Sequence, residues 1–329
     1  MKINNVRNIS VPIAVWLVSD DYDYINDPKY ISATTLLKPI KQIILANRFK
    51  VLGGQMEADV EDFISSRMGT AIHDAIEKAW TTNKDKALAR LGYPEKIRER
   101  VVINPSPEFL EEHPNTVPVY LEQRFFKELA GWKIGGKIDV ILEGAYHDTK
   151  STSVYSYILG SKDEYYIGQG SIYRWLAPDK ITEDRIHIEF IFTDWSKAEA
   201  RRKPNDYPQS RYHQYTLSLM SYEDTEKWLT QKLNTLTRLW NAPEEQIPPC
   251  TDEELWRGKT AWKYYSDAAK ANDPTARSSK NFDDPVQANI YWQQEKGGKG
   301  TVKTVPGEVK ACGYCAAYEI CKQRLAYDV

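Results

Sequence analysis

The stretch from Trp132 to Ser151 constrains the chain more than any other. Val140, Ile141 and Leu142 favour extended backbone, Glu143-Gly144 reads as a tight turn, and His147 to Ser151 returns as a second short strand. Side chains alternate along a strand, so Asp148 and Lys150, two residues apart, share a face. The hairpin can set Asp139 beside Asp148, which gathers two carboxylates and one ammonium at one spot. That is the minimum equipment for metal-dependent phosphodiester cleavage. Two carboxylates hold Mg²⁺ or Mn²⁺, the ion polarises a phosphate and activates water, and a lysine orients that water or offsets developing negative charge. The bland alternative is a solvated hairpin with alternating charges, since a D-x-K on a strand is common by chance.

At 329 residues the chain has room for one large domain or two smaller ones. Its 44 basic and 46 acidic residues nearly cancel, so a nucleic-acid surface would have to be a local patch and not a global field. The 10 Trp, 21 Tyr and 8 Phe supply packing and, in part, base-stacking platforms. Ile9 to Val18 is too short for a membrane span and contains Pro12, and the Asp20-Asp21-Tyr22-Asp23 that follows is no cleavage site. Neither a membrane segment nor a signal peptide is expected. The four cysteines are then expected in a reducing cytoplasm, where metal binding suits clustered thiols better than disulfides do.

In chain order, residues 1 to 30 read as a strand-rich or irregular lead-in with an acidic aromatic turn. Ser32 to Phe49 reads as a capped helix interrupted by Pro39. Glu57 to Trp80 reads as a long helix with Val60, Phe63, Ile64, Met68, Ile72, Ile76 and Trp80 near one stripe and with His73 and Glu77 on another face. Asn83 to Thr116 is charged and dotted with proline, fitting a short helix or two and a loop. Val117 to Phe126 is a strand on which Glu122 can point toward the hairpin carboxylates or simply to solvent. Tyr165 to Leu176 reads as a helix with Gln169 and Tyr173 at i and i+4, and Arg185 to Trp195 as a strand with Ile186, Ile188, Phe190 and Phe192 on one face. Lys197 to Arg211 interleaves Lys197, Arg201, Arg202, Lys203 and Arg211 with Tyr207 and Tyr212, as a nucleic-acid contact or an ordinary loop would. Ser221-x-x-Asp224 opens an amphipathic helix to Trp240, and Thr251-x-x-Glu254 caps another through Trp256 and Trp262. Residues 266 to 300 read as extended or loop-like. Cys312, Cys315 and Cys321 crowd the last 18 residues, with Cys250 far upstream.

The order of these motifs resembles the RecB-like branch of the PD-(D/E)XK nucleases, which includes phage recombination exonucleases, AddB-type nucleases and the iron-sulfur nucleases linked to CRISPR adaptation. The matching pieces are Gly69-Thr70-Ala71-Ile72-His73, Gly136-Lys137-Ile138-Asp139, Asp148-Thr149-Lys150, Gln169-x-x-x-Tyr173 and Cys312-x2-Cys315-x5-Cys321, over roughly residues 30 to 325. By resemblance, Asp139 and Asp148 look like the metal carboxylates, Lys150 like the catalytic lysine, and the Thr149 carbonyl and His73 like further metal ligands. Gln169 and Tyr173 look like a substrate-orienting pair, and Glu122 is a weaker candidate. Several iron-sulfur relatives carry an early cysteine, which this chain lacks. Cys250 is the fourth thiol for a centre with Cys312, Cys315 and Cys321, and the spacing resembles the 4Fe-4S relatives, with Zn²⁺ as the alternative.

The resulting expectation is an α/β fold: a PD-(D/E)XK restriction-endonuclease-like core over 1–240, with a central mixed sheet flanked by helices. A cysteine-containing, metal-binding helical extension over 241–329 would pack on it. The expected function is a Mg²⁺-dependent (or Mn²⁺-dependent) DNA nuclease, an exonuclease at single-stranded or duplex ends in recombination or replication of phage type. Its expected setting is the cytoplasm, with a single-strand annealing or DNA-binding protein as a further partner and no membrane. The alternatives are an idle DNA-end-binding or inhibitory module and a structure-specific or restriction-type endonuclease.

Overall fold

The hairpin is built by its turns. In the computed structural model, which describes residues 1–20, 23–160, 162–273 and 275–327, Glu143 and Gly144 have φ of 50° and 78°. Positive φ at both central residues defines the type I′ turn whose twist matches a two-stranded ribbon. Ala130 and Gly131, at 50° and 76°, repeat the device one connection earlier. Together they fold β5 (Val117–Leu129), β6 (Trp132–Leu142) and β7 (Ala145–Thr152) into an antiparallel meander. The acidic aromatic turn read at 20–23 includes residues 21 and 22, which lie outside the described residues.

Around the meander stands a seven-stranded mixed sheet. β4 (Val101–Ile103) runs parallel to β5, β8 (Arg185–Phe192) parallel to β7, and β9 (Tyr212–Ser218) antiparallel to β8. β2 (Tyr30–Ser32) pairs parallel with residues 133–135 of β6, beyond the reach of β7. A parallel step from β7 to β8 needs a crossover, and the helix Asp163–Leu176 supplies it. The fold is therefore α/β, a mixed multistranded sheet flanked by helices. On β8 the period-two reading holds: Ile186, Ile188, Phe190 and Phe192 are all buried. Ser221 caps the helix Tyr222–Leu239 by accepting a hydrogen bond from the Asp224 N–H.

Several boundaries differ from the sequence reading. Val11–Val18 is a helix, not a strand or irregular segment. The long helix begins at Ile64, because β3 (Glu57–Asp59) pairs with β1 (Lys2–Asn4) and an Asp59/Asp62 capping box starts a 3₁₀ turn at Val60. It then runs 27 residues to Arg90, past the polar run that suggested an end near Trp80, since Leu88 joins Trp80 against Val101, Val119 and Leu121. Residues 197–202 are a short helix instead of a loop.

The chain divides into two compact units, residues 1–38 with 55–240, and 39–54 with 241–329. The expected boundary after residue 240 thus needs one correction: the helix Ile40–Val51 goes with the C-terminal segment. Lys41 forms a 3.0 Å ion pair with Glu244, both side chains nearly buried, and Arg48 Nη2 donates to the Ala242 carbonyl at 2.6 Å. A buried ammonium without its carboxylate would be strongly destabilising, so the pair ties that helix to its unit. The C-terminal unit is also less helical than expected. Trp262 lies on β10 (Ala261–Tyr265), flanked antiparallel by β11 (Lys280–Phe282) and β12 (Thr301–Val305). The Thr251/Glu254 capping box does form, with bonds of 3.2 and 2.9 Å, but the chain leaves after one turn where Trp256 takes φ of 50°. Among the described residues no helix is long and apolar enough to cross a membrane.

Candidate active site

The ladder between β6 and β7 ends at Val140 opposite His147. One step further along the same register, Asp139 and Asp148 are opposite each other. On the other edge of β6, Leu121 pairs with Val140 and Gln123 with Ile138, so Glu122 falls opposite Asp139 and is skipped by the ladder. Glu122 has φ of 53°, an uncommon conformation for a residue with a side chain. The buried alternation of β6 also slips there: Trp132, Ile134, Gly136 and Ile138 are buried, and the pattern resumes at Ile141. Local breaks of this kind re-aim side chains near functional sites. Here the break puts Glu122, Asp139 and Asp148 in one row across three strands.

Asp148 is completely buried. Its Oδ2 lies 2.8 Å from Lys150 Nζ, as expected for residues two apart on a strand; among the described residues its oxygens meet that ammonium and the Asp139 carboxyl, which shares a hydrogen bond with it, and no other donor. The long helix 64–90 delivers His73, whose Nε2 is 3.0 Å from the Thr149 carbonyl and whose Nδ1 is 3.5 Å from Asp139 Oδ2. If Nε2–H donates to that carbonyl, Nδ1 meets the Asp139 carboxyl as an acceptor, and the contact needs a shared proton or a cation between them. His73, Glu122 and Asp139 offer ligand atoms that all lie within 4.8 Å of one another. Burial, then the charges of Asp148 and Glu122, push the Asp139 carboxyl up to about 8, with Lys150 opposing. Burial alone would lower the Lys150 pKa, but Asp148 and Asp139 outweigh it and hold the ammonium charged.

Fully buried Asp148 lies behind the lining of a cleft of about 750 Å³, which His73, Glu122, Asp139, Thr149 and Lys150 line with Gln169 and Tyr173. Both are nearly buried on the helix 163–176, and Gln169 Nε2 reaches the Tyr173 hydroxyl at 3.4 Å. The Tyr173 ring packs edge-on to Tyr146, with centroids 5.2 Å apart. Burial holds the Tyr173 hydroxyl in its protonated form, against the Gln169 hydrogen bond. Asp139, Asp148, Lys150, His73, Thr149, Gln169 and Tyr173 are thus brought together. Glu122, the weaker candidate, belongs with them. Lys137, within the Gly136-Lys137-Ile138-Asp139 stretch, also pairs with Glu122 at 2.5 Å and lines the same cleft. Its position two residues before Asp139 was the available signal.

The converging carboxylates of Glu122 and Asp139 and imidazole of His73, with the Thr149 carbonyl and the Asp148 carboxylate next to them, fit a hard divalent cation.

In the C-terminal unit, Cys250, Cys312, Cys315 and Cys321 line one small recess with Leu45, Leu255 and Gln323. All four are thiols. Gln323 fixes the Cys250 backbone from both sides, accepting its N–H at 2.8 Å and donating to its carbonyl at 2.9 Å. Burial, followed by the charges of Glu254, Cys321 and Cys315, pushes the Cys250 thiol up to about 12. A thiol in that state needs a bound metal to become a thiolate at neutral pH.

Part of the basic and aromatic segment 197–211 makes local contacts. Arg202 and Lys203 pair with Glu199 at 2.6 and 3.3 Å, and the Tyr207 hydroxyl accepts from the Ser196 N–H.

No protein-family model matches this chain. No curated protein matches it. A solved protein described as SSO0001 is similar at 13% identity and a TM-score of 0.42, over 72% of this chain and 90% of that one. The likeness is too distant for an argument to rest on it.

Proposed function

We propose that this chain is a metal-dependent deoxyribonuclease with a PD-(D/E)XK-like core, working as an exonuclease at DNA ends with Mg²⁺ or Mn²⁺. The observation that carries the reading is Asp148. It is a fully buried carboxylate whose oxygens, among the described residues, meet only the Lys150 ammonium and the neighbouring Asp139 carboxyl. Leaving such a group half satisfied is costly, and a divalent cation is the partner that this donor set suits.

Asp139, Asp148, His73 and the Thr149 carbonyl would hold the ion, with Glu122 as an additional carboxylate. When bound, a divalent ion supplies a polarised phosphate and a water of lowered pKa. Lys150, tethered to Asp148, keeps a positive charge where negative charge develops and can orient the attacking water. Gln169 and Tyr173 present amide and hydroxyl groups to the strand. The thiols of Cys250, Cys312, Cys315 and Cys321 would hold one 4Fe-4S cluster in preference to zinc, a choice that rests only on the resemblance of the Cys312-x2-Cys315-x5-Cys321 spacing to the cluster-bearing nucleases, since four thiolates suit either metal.

The test is incubation of purified protein and Mg²⁺ with end-labelled linear, circular, single-stranded and duplex DNA. Release of label from linear DNA alone is expected. Cutting of closed circles would replace the exonuclease with an endonuclease, and binding of ends without cleavage would leave a binding module.

A further inference from the structure

Lys137 stands two residues before Asp139 on β6, and its ammonium lies 2.5 Å from Glu122 Oε2. Glu122 is also one of the three residues whose ligand atoms converge with those of His73 and Asp139. One carboxylate is therefore contested. It can hold Lys137, or it can serve a divalent ion.

We propose that Lys137 is a substrate-positioning residue: it rests on Glu122 in the absence of a divalent ion, and is released to a phosphate of the nucleic-acid strand when an ion takes that carboxylate. The proposal rests on the nuclease reading above.

Three observations carry it. The two lysines of the cleft are held differently. Lys150 is joined to fully buried Asp148, and leaving would strand a buried charge. Lys137 is 40% exposed, and its partner is not buried to that degree. A four-carbon stem ending in a compact ammonium can swing from one anion to another without losing a fixed fork geometry. Second, the cleft is lined by Asp74, Glu122 and Asp139, which oppose the approach of a polyanion. A cation that becomes available as the carboxylates are neutralised adds positive charge when the strand needs it. Third, Glu122 sits at φ of 53° outside the ladder, so the backbone gives up a regular conformation to aim this side chain. A carboxylate that served only a surface ion pair would not call for that. Burial acts against the Lys137 charge, yet the Glu122 hydrogen bond and the charges of Glu122, Glu77 and Asp139 raise its pKa, so it rests on Glu122 as an ammonium.

The idea predicts effects of opposite sign. Mn²⁺ binding without nucleic acid, read by electron paramagnetic resonance, should tighten in Lys137→Met by about threefold, because a partly exposed competing ion pair is removed. Binding of a DNA oligonucleotide with Ca²⁺ in place of Mg²⁺ should weaken, and the slope of log affinity against log salt should fall by about one. Lys137→Arg should restore the slope. A merely structural lysine would leave the slope alone and weaken or leave unchanged the Mn²⁺ binding. Unchanged or weaker Mn²⁺ binding in Lys137→Met overturns the proposal, as does an unchanged salt slope. Wild-type cleavage combined with either result removes the Lys137 role and leaves the nuclease reading standing. If wild-type protein binds no DNA, the nuclease reading fails and the phosphate role with it.

Discussion

The Tyr173 ring occupies the space that a side chain on Gly136 would need: a Cβ there would come within 2.4 Å of Tyr173 Cε1. The helix carrying Gln169 and the strand carrying Lys137 and Asp139 are spaced by this contact. Gly136→Ala must displace a buried ring, and overpacking of this kind costs about 1–3 kcal/mol. By contrast, an added Cβ at Gly69 meets Ser151 Oγ only at 3.9 Å. Gly69→Ala should leave stability equal or raise it by up to about 1 kcal/mol through helix propensity. Chemical denaturation of both variants checks the contrast, and equal destabilisation would contradict it.

Removing one hairpin carboxylate should abolish most of the activity. Asp148→Ala and Asp139→Ala are each expected to cut at least about a hundredfold more slowly than wild type, in line with losses for single catalytic groups. Rates on end-labelled DNA measure this. Cutting at the wild-type rate by both proteins would remove the hairpin from the chemistry.

His73 touches both Thr149 and Asp139, so its loss should show in metal binding and not only in turnover. A Mg²⁺ or Mn²⁺ titration of His73→Ala should shift to higher concentration, since a neutral imidazole is the ligand. Gln169→Ala and Tyr173→Phe should leave that titration in place while slowing the use of bound DNA. An unshifted titration in His73→Ala would make it a polar helix residue and nothing more.

Asp139 gives the metal-free protein a definite pH dependence. Its folded pKa of about 8 lies above the value of about 3.9 for an unfolded aspartate. The contribution to stability is therefore full below the unfolded value and is lost as pH rises from there through about 8. A divalent ion favours the ionised carboxylate and should restore stability most at the alkaline end. Denaturation midpoints at pH 5 and pH 8, with and without Mg²⁺, are expected to show ion-induced stabilisation that is larger at pH 8. Asp139→Asn should flatten this metal-free trend; a trend of equal size in that variant would assign it to other groups.

Anaerobically purified protein should be brown, absorb broadly near roughly 400 nm and carry about four irons per chain. Cys250→Ser should lower the melting temperature while leaving the hairpin residues chemically intact. Colourless protein with one zinc per chain would favour zinc, and absence of both metals would overturn the shared centre.

The order of the motifs along the chain, the hairpin turn and the face shared by Asp148 and Lys150 were legible in the sequence because each is local. Two positive-φ residues make the turn, and a two-residue period fixes which side chains lie together. The same holds for the Ser221 cap and for the apolar face of β8. Tertiary structure alone decided the rest. Glu122 joins the site because a break in β5 meets Asp139 across a strand pair, and no pattern within β5 announces which residue will be skipped. The helix 40–51 belongs to the cysteine-bearing unit through Lys41 and Glu244, about two hundred residues apart, where the stability of a nearly buried ion pair outweighs proximity in sequence. Trp262 became a strand residue for the same kind of reason: the capping signal before it was real and formed its bonds, but pairing with β11 and β12 set the conformation that followed.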